Sequence, residues 1–295
     1  MAEDGEASGG RTRIGQAGDG PGMTERDSKR TRFFTVHRRV FVGLVSLASF
    51  VIVWELSSPL INPLLFTWPS QILAAFARAV STGELQRNFL VSLTEMTFGF
   101  VLALVVGIPI GVLMGRSRIV EYVLDPFVTL LYSTPRVSFL PLLVLWFGLG
   151  LMSKATLVFL GAMIPILVTT LSAVRNVDGI LVDVGRSFGA TRVQLLYKVI
   201  LPASLPSIVA GLRLAVGRSL ILTVVAELFA SSAGLGFMLI NAAALYQIDK
   251  VFVAVAVLAA MGVGLTESFK FLARRVAPWT SLADRREKGG GVSSE

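Results

Sequence analysis

Cysteine is absent, and histidine occurs once, at position 37. Without thiolates there is no disulfide framework, no Cys-based metal site and no cysteine nucleophile. With His37 alone, a histidine metal cluster is excluded and a catalytic triad has a single candidate base. Charge is sparse too: 16% of the 295 residues are Asp, Glu, Lys or Arg, against about 25% in soluble domains. No glycine stands directly before any lysine. The G-x-x-x-x-G-K-[ST] loop that cradles nucleotide phosphates therefore cannot form, and the chain does not hydrolyse ATP by that route. Gly185-Arg186-Ser187-Phe188-Gly189 matches the G-x-S-x-G pattern. That pattern needs a strand-to-helix turn and a histidine partner, whereas here it lies in a helix-forming polar stretch, with His37 in a remote tail.

What the sequence does have is apolar length. Hydrophobic residues make up 54% of the chain and fall in long runs, which predicts an all-α, polytopic membrane bundle. Six spans are expected, at Val40–Ser57, Phe89–Met114, Tyr122–Phe147, Ala155–Val174, Pro206–Phe229 and Val251–Leu272. The organisation follows from them. Residues 1–39 read as a disordered basic tail, 40–88 as the first span plus an external loop with a short helix at Ser70–Val80, and 89–272 as the core. Within that core, 175–205 form a polar cytoplasmic loop, and 273–295 are a second disordered tail. The net charge of +8 points to nucleic acid only if it is unsorted. Instead Arg116, Arg118, Arg175, Arg186, Arg192, Lys198, Arg274 and Arg275 fall on the side of the basic cluster Arg30, Arg32, Arg38 and Arg39 that ends the N-terminal tail. The positive-inside rule then places both termini in the cytoplasm and removes the need for a nucleic-acid partner.

Two features within the spans bear on packing and passage. Gly99, Ala103, Gly107, Gly111 and Gly115 put a small residue at every fourth position of the second span. Such a ridge allows close helix approach in lipid, either inside the bundle or between two copies of the chain. Pro109, Pro135, Pro141 and Pro165 are expected to kink their spans. Glu55, Glu95, Arg136, Arg218 and Glu227 are ionisable residues in or near spans, each costing about 2.5–3.5 kcal/mol at a helix centre on insertion scales. Glu55 is close enough to an end to reach the interface. Arg218 lies about 18 Å into its span and Glu227 about 13 Å further along, so those two need other partners. Arg136, Arg218 and Glu227 either clamp helices together or line a path, with the arginines favouring an anion.

The polar loop between Leu181 and Pro202, LVDVGRSFGATRVQLLYKVILP, is the most specific segment. It predicts a short helix from Val182 to Ala190, a turn at Gly189 and a second helix Arg192–Val199. Pro202 is expected to stop that second helix, and Pro206 to open the next span. By itself this is either an ordinary amphipathic loop or a docking elbow. Its spacing resembles the E-A-A-x3-G-x9-I-x-L-P loop of ABC importer permeases. Further stretches in order, GFVLALVVGIPIGVLMGRS, PLLVLWFGLG, PSIVAGLRLAVGRSLILTVVAEL and SSAGLGFMLINA, resemble the sulfonate/taurine/nitrate group of these binding-protein-dependent permeases. The likeness spans about 180 residues from Val91 to Leu272. Departures are Asp183-Val184-Gly185 for E-A-A and Val199 for isoleucine. Gly185 is expected to loosen the coupling helix, and Glu95 stands where many relatives carry a basic residue.

The resemblance implies a type I importer permease in the bacterial inner (plasma) membrane, which is not itself an enzyme. A second permease copy, a cytoplasmic ATPase dimer that binds ATP and Mg, and an external substrate-binding protein would be its partners, with no cofactor on this chain. It also implies that Asp183, Gly185, Arg186, Gly189, Ala190, Val199, Leu201 and Pro202 couple to the ATPase, and that the cargo is a small anion. Other cargoes on the same fold (a vitamin precursor, methionine, phosphonate) and an ATP-independent channel are the alternatives.

Overall fold

The computed structural model describes residues 41–43, 45–57 and 66–276, with 272–274 and 276 by backbone alone. The tail expected at 1–39 lies outside them. Among the described residues every regular element is helical. Contacts divide the chain into a unit ending at Leu56, which holds nearly all of α1 (Phe41–Ser57), and a second unit from Ser57 onward.

The second unit opens with α2 (Pro69–Ser81), a short amphipathic helix with proline in its first turn. Gly83, at φ 75°, turns the chain into α3 (Glu84–Arg116). Then come α4 (Arg118–Ser133), a 3₁₀ turn (Arg136–Phe139), α5 (Leu140–Phe147) and α6 (Leu151–Arg175). The loop segment carries α7 (Gly179–Ser187) and α8 (Arg192–Leu195), followed by a π turn (Leu196–Ile200) and α9 (Leu201–Ala230). The chain closes with α10 (Leu235–Ala244) and α11 (Ile248–Val276). Among the described residues, four helices are long and apolar enough to cross a membrane: Glu84–Arg116, Leu151–Arg175, Arg192–Ala230 and Ile248–Phe271. They carry the second, fourth, fifth and sixth expected spans, and α11 runs past residue 273, where the C-terminal tail was expected to begin.

One expectation is sharpened and one needs correction. The third span is interrupted at Pro135 as expected, but by a sharp bend: Arg118–Ser133 and Arg136–Phe147 meet at 92°. Thr134 precedes Pro135 and is extended at φ −82°, ψ 130°, because the proline ring excludes the α region from the residue before it. After the bend α5 has only eight residues before Gly148, at φ 73°, ends it. At 1.5 Å per residue that is about 12 Å, too short to cross. Pro202 does not stop a helix. Arg192–Ala230 is one helical run of 39 residues, about 58 Å at the ideal rise. The π turn just before Pro202 widens the backbone where proline can neither donate to the preceding turn nor tolerate its carbonyl.

The core forms where α3, α6, α9 and α11 meet. Met96, Phe100 and Ala103 of α3 join Ala162 and Ile166 of α6, Leu212 and Ala215 of α9, and Val253 and Met261 of α11. The small-residue ridge of α3 faces α6. A Cβ on Gly111 would stand 2.7 Å from the Leu167 carbonyl, and one on Gly115 2.8 Å from Val174. Gly99 and Gly107 approach α6 in the same way, at Ala155, Val158 and Ile166, and Ala103 is fully buried. Pro109 and Pro165 sit inside unbroken helices. By contrast α4 buries none of its residues within the single chain.

Candidate functional site

At one end of the bundle the 175–205 loop folds into an elbow. Asp178 caps α7 by accepting the Ile180 N–H at 2.9 Å. α7 runs three residues earlier than expected, ending at Ser187. Gly189 closes it at φ 73°, with its N–H on the Arg186 carbonyl and the Ala190 N–H on the Gly185 carbonyl. This double bond pattern is a Schellman cap, which needs a left-handed residue where glycine carries no Cβ penalty. Thr191 and Gln194 then form a capping box that starts α8.

At Gly185 the elbow packs closely. A Cβ there would stand 2.6 Å from Leu195 Cδ2 and 3.4 Å from Val199 Cγ2, so its bare Cα lets α7 lie against α8 and the π turn. Leu201 and Val182 pack onto the cluster of Val112, Val174 and Ile200, which ties the elbow to the ends of α3 and α6. The opposite face stays open. No α7 residue is buried, and Ile180, Leu181, Val184 and Phe188 are exposed, Phe188 at 87%. Beside them Asp183 and Arg186 pair at 3.2 Å in the open. A shallow apolar groove floored by Gly185, Val199 and Pro202 runs alongside.

Two arginines, Arg136 and Arg218, lie in the region of the bend. Arg136 begins the 3₁₀ turn that follows it, and its guanidinium lies 5.9 Å over the Tyr132 ring. Its stem lies beside Gly161 of α6, against which Leu222 of α9 also packs. Its Nε and Nη2 are enclosed without a hydrogen-bond partner. Arg218, exposed on α9, is close enough for the two positive charges to act on each other. Among the described residues no carboxylate pairs with either.

Glu227 is not part of that pair. Its side chain is fully buried at the other end of α9, and its Oε2 accepts the Gly236 N–H at 2.7 Å. Glu95 is enclosed nearby, paired with Lys154. Glu95 is thus held in the packed interior by that pair. Lys154 is the residue the sequence hides, because it reads as a charge at the edge of a span, yet it is buried beside Glu95 and donates to Ser231 Oγ at 2.8 Å.

A multi-pass helical bundle carrying an exposed, tightly capped elbow defines a membrane component that a separate partner can grip. Residues 107–281 match the family described as binding-protein-dependent transport system inner membrane component, and the chain belongs to that family. It is thus a permease component of a transport system that depends on a binding protein, not an enzyme. The taurine transport system permease protein of Escherichia coli (strain K12) is 34% identical over 85% of this chain and 94% of its own length. A protein of Bacillus subtilis (strain 168) described as an aliphatic sulfonates transport permease is 35% identical, over 80% and 87%. In fold, the chain is similar to the methionine ABC transporter MetNI in an inward-facing conformation, with a TM-score of 0.60 at 19% identity, covering 66% of this chain and 97% of that one.

Proposed function

We propose that this permease passes a small sulfonate-, taurine- or nitrate-like anion across the membrane, by way of Arg136 and Arg218. The single observation that carries the reading is the arginine pair, at a helix bend and with no carboxylate beside it. Two unneutralised cations in a span are costly in hydrocarbon. That cost falls if they face a water-filled route and meet a passing anion, which guanidinium groups grip in a fork. The compounds named for the relatives, taurine and aliphatic sulfonates, share a sulfonate group, the kind of anionic head that guanidinium groups grip.

The other parts follow from the family. A cytoplasmic ATPase dimer binding ATP and Mg docks on the exposed face of α7, where Asp183, Arg186, Gly189 and Ala190 present the elbow. Gly185, Val199, Leu201 and Pro202 hold that elbow in shape. An external binding protein delivers the cargo, and a second copy of the permease covers the unburied α4. Both termini lie in the cytoplasm on this reading, which the charge distribution supports. This chain holds no cofactor of its own in the cycle. Closure of the ATPase dimer displaces the elbow, and the helical run from Arg192 to Ala230 transmits the displacement as a rigid body.

The test is uptake of taurine, alkanesulfonates and nitrate by the assembled transporter, with Arg136→Gln and Arg218→Gln. Each substitution is expected to lower anion uptake at least about tenfold, the scale of one lost charge-assisted contact, while ATPase binding is retained. Unchanged anion uptake in both variants contradicts the assignment.

A further inference from the structure

At the end of the bundle away from the elbow, α3, α6 and α9 enclose a polar knot that the transport scheme above leaves unused. Three successive amides at the head of α10 are satisfied by side chains from other helices. Gly234 N–H donates to Asn88 Oδ1 at 2.8 Å, Leu235 N–H to Ser92 Oγ at 2.8 Å, and Gly236 N–H to Glu227 Oε2 at 2.7 Å. The fit is close: a Cβ on Gly236 would stand 2.8 Å from the Glu227 Cβ and from the Val224 carbonyl. Lys154 of α6 pairs with Glu95 of α3 and donates to Ser231 at the end of α9. All the named side chains of α3, α6 and α9 except that of Ser231 are buried.

Two atoms are left over. Glu95 Oε2 and Glu227 Oε1 are both enclosed and both lack a partner, and the two carboxyl groups are near enough to interact, with Ser92 beside Glu227. Lys154 is the one cation of the knot. With both carboxyls ionised, the knot would hold an uncompensated negative charge and two buried acceptors without a protein donor, each a cost of its own. One proton between the two free oxygens removes both faults.

We propose that Glu95 and Glu227 share one proton and that this neutral knot latches α10 to α3, α6 and α9. Glu95 already faces the Lys154 ammonium, so Glu227 supplies the acid and its O–H donates to Glu95 Oε2. The latch sits on the same 39-residue helical run that begins at the elbow. Displacement at the elbow therefore carries α10 with it as part of one body, whatever the cargo.

The roles are asymmetric, and that makes the proposal testable in the assembled transporter with its ATPase. In Glu227→Gln the amide carbonyl still accepts from Gly236 and its NH₂ still donates to Glu95. Uptake should stay within about twofold of the parent and the Tm should be unchanged, since the bonds to Gly236 and Glu95 are kept. Glu95→Gln and Lys154→Met each strip a buried charge of its partner, and should lower uptake by about tenfold or more and lower the Tm. Infrared spectra of the parent protein should show the carbonyl stretch of a protonated, water-excluded carboxyl, and Glu227→Gln should lose it. Glu227→Gln proving as damaging as Glu95→Gln, or no such band in the parent, would overturn the shared proton. Neither outcome bears on the arginine pair, so the two assignments fail separately.

Discussion

Gly189 shows how much a single residue decides. Its φ of 73° lies where an L side chain is strained, by about 1–2 kcal/mol for most residues. Yet nothing stands within 4 Å of a Cβ placed there, so the constraint is the backbone and not space. Asparagine enters the left-handed region far more readily than a β-branched residue does. Gly189→Asn should accordingly keep more uptake than Gly189→Val, with both variants present in the membrane at parental amounts. Quantitative immunoblotting beside a transport assay checks this, and equal loss in the two would mean that the turn is not what matters. The turn itself was legible from sequence, because a lone glycine after a short polar helix has few other uses. Gly185 was legible only as a departure from the family pattern. That Leu195 and Val199 fill the space above it is a tertiary fact no spacing reveals.

Among the elements, α3 depends on its ridge. In lipid, apolar side chains gain little by leaving one another's company for lipid tails, so contact quality between helices carries the stability. The Gly111 Cα lies against the Leu167 carbonyl and Thr170, leaving no room for a branched side chain. Gly111→Val should destabilise the chain by about 1–3 kcal/mol, the range for overpacking, and differential scanning in detergent would register it as a lowered Tm. A Tm unchanged from the parent would place the ridge elsewhere. The four-residue spacing made the ridge plain in the sequence; which surface it meets was not, since internal packing and a second copy ask for the same residues. The bend between α4 and α5 was half legible. Pro135 announces a break, but the 92° turn is set by where α5 finds burial, with Leu140 and Leu143 against Leu157, Ala226 and Ala230. The ten-residue α10 went unanticipated, because its apolar run is too short to read as a span and its head is held by Asn88 and Ser92, distant in sequence.

At the scale of the whole molecule, one helical run links two sites at opposite ends of the bundle. Arg192 stands at the elbow, Arg218 beside the bend, and Glu227 in the knot, all on Arg192–Ala230. The hydropathy pattern gave away the spans, because lipid forces each backbone polar group into helical bonds. It could not give away the knot, since Lys154 and Glu95 become partners only once α3 and α6 pack. On the proposed function, a nucleotide-hydrolysing partner drives this lever through the elbow. Photo-cross-linkers at Val184 and Phe188, both exposed on or beside α7, placed in native membranes, with the captured proteins identified by mass, put this to the test. Capture of an ATPase carrying a phosphate-binding loop is the predicted result. Efficient cross-linking at both positions with no nucleotide-binding protein among the products would contradict it, and would leave the elbow without a motor.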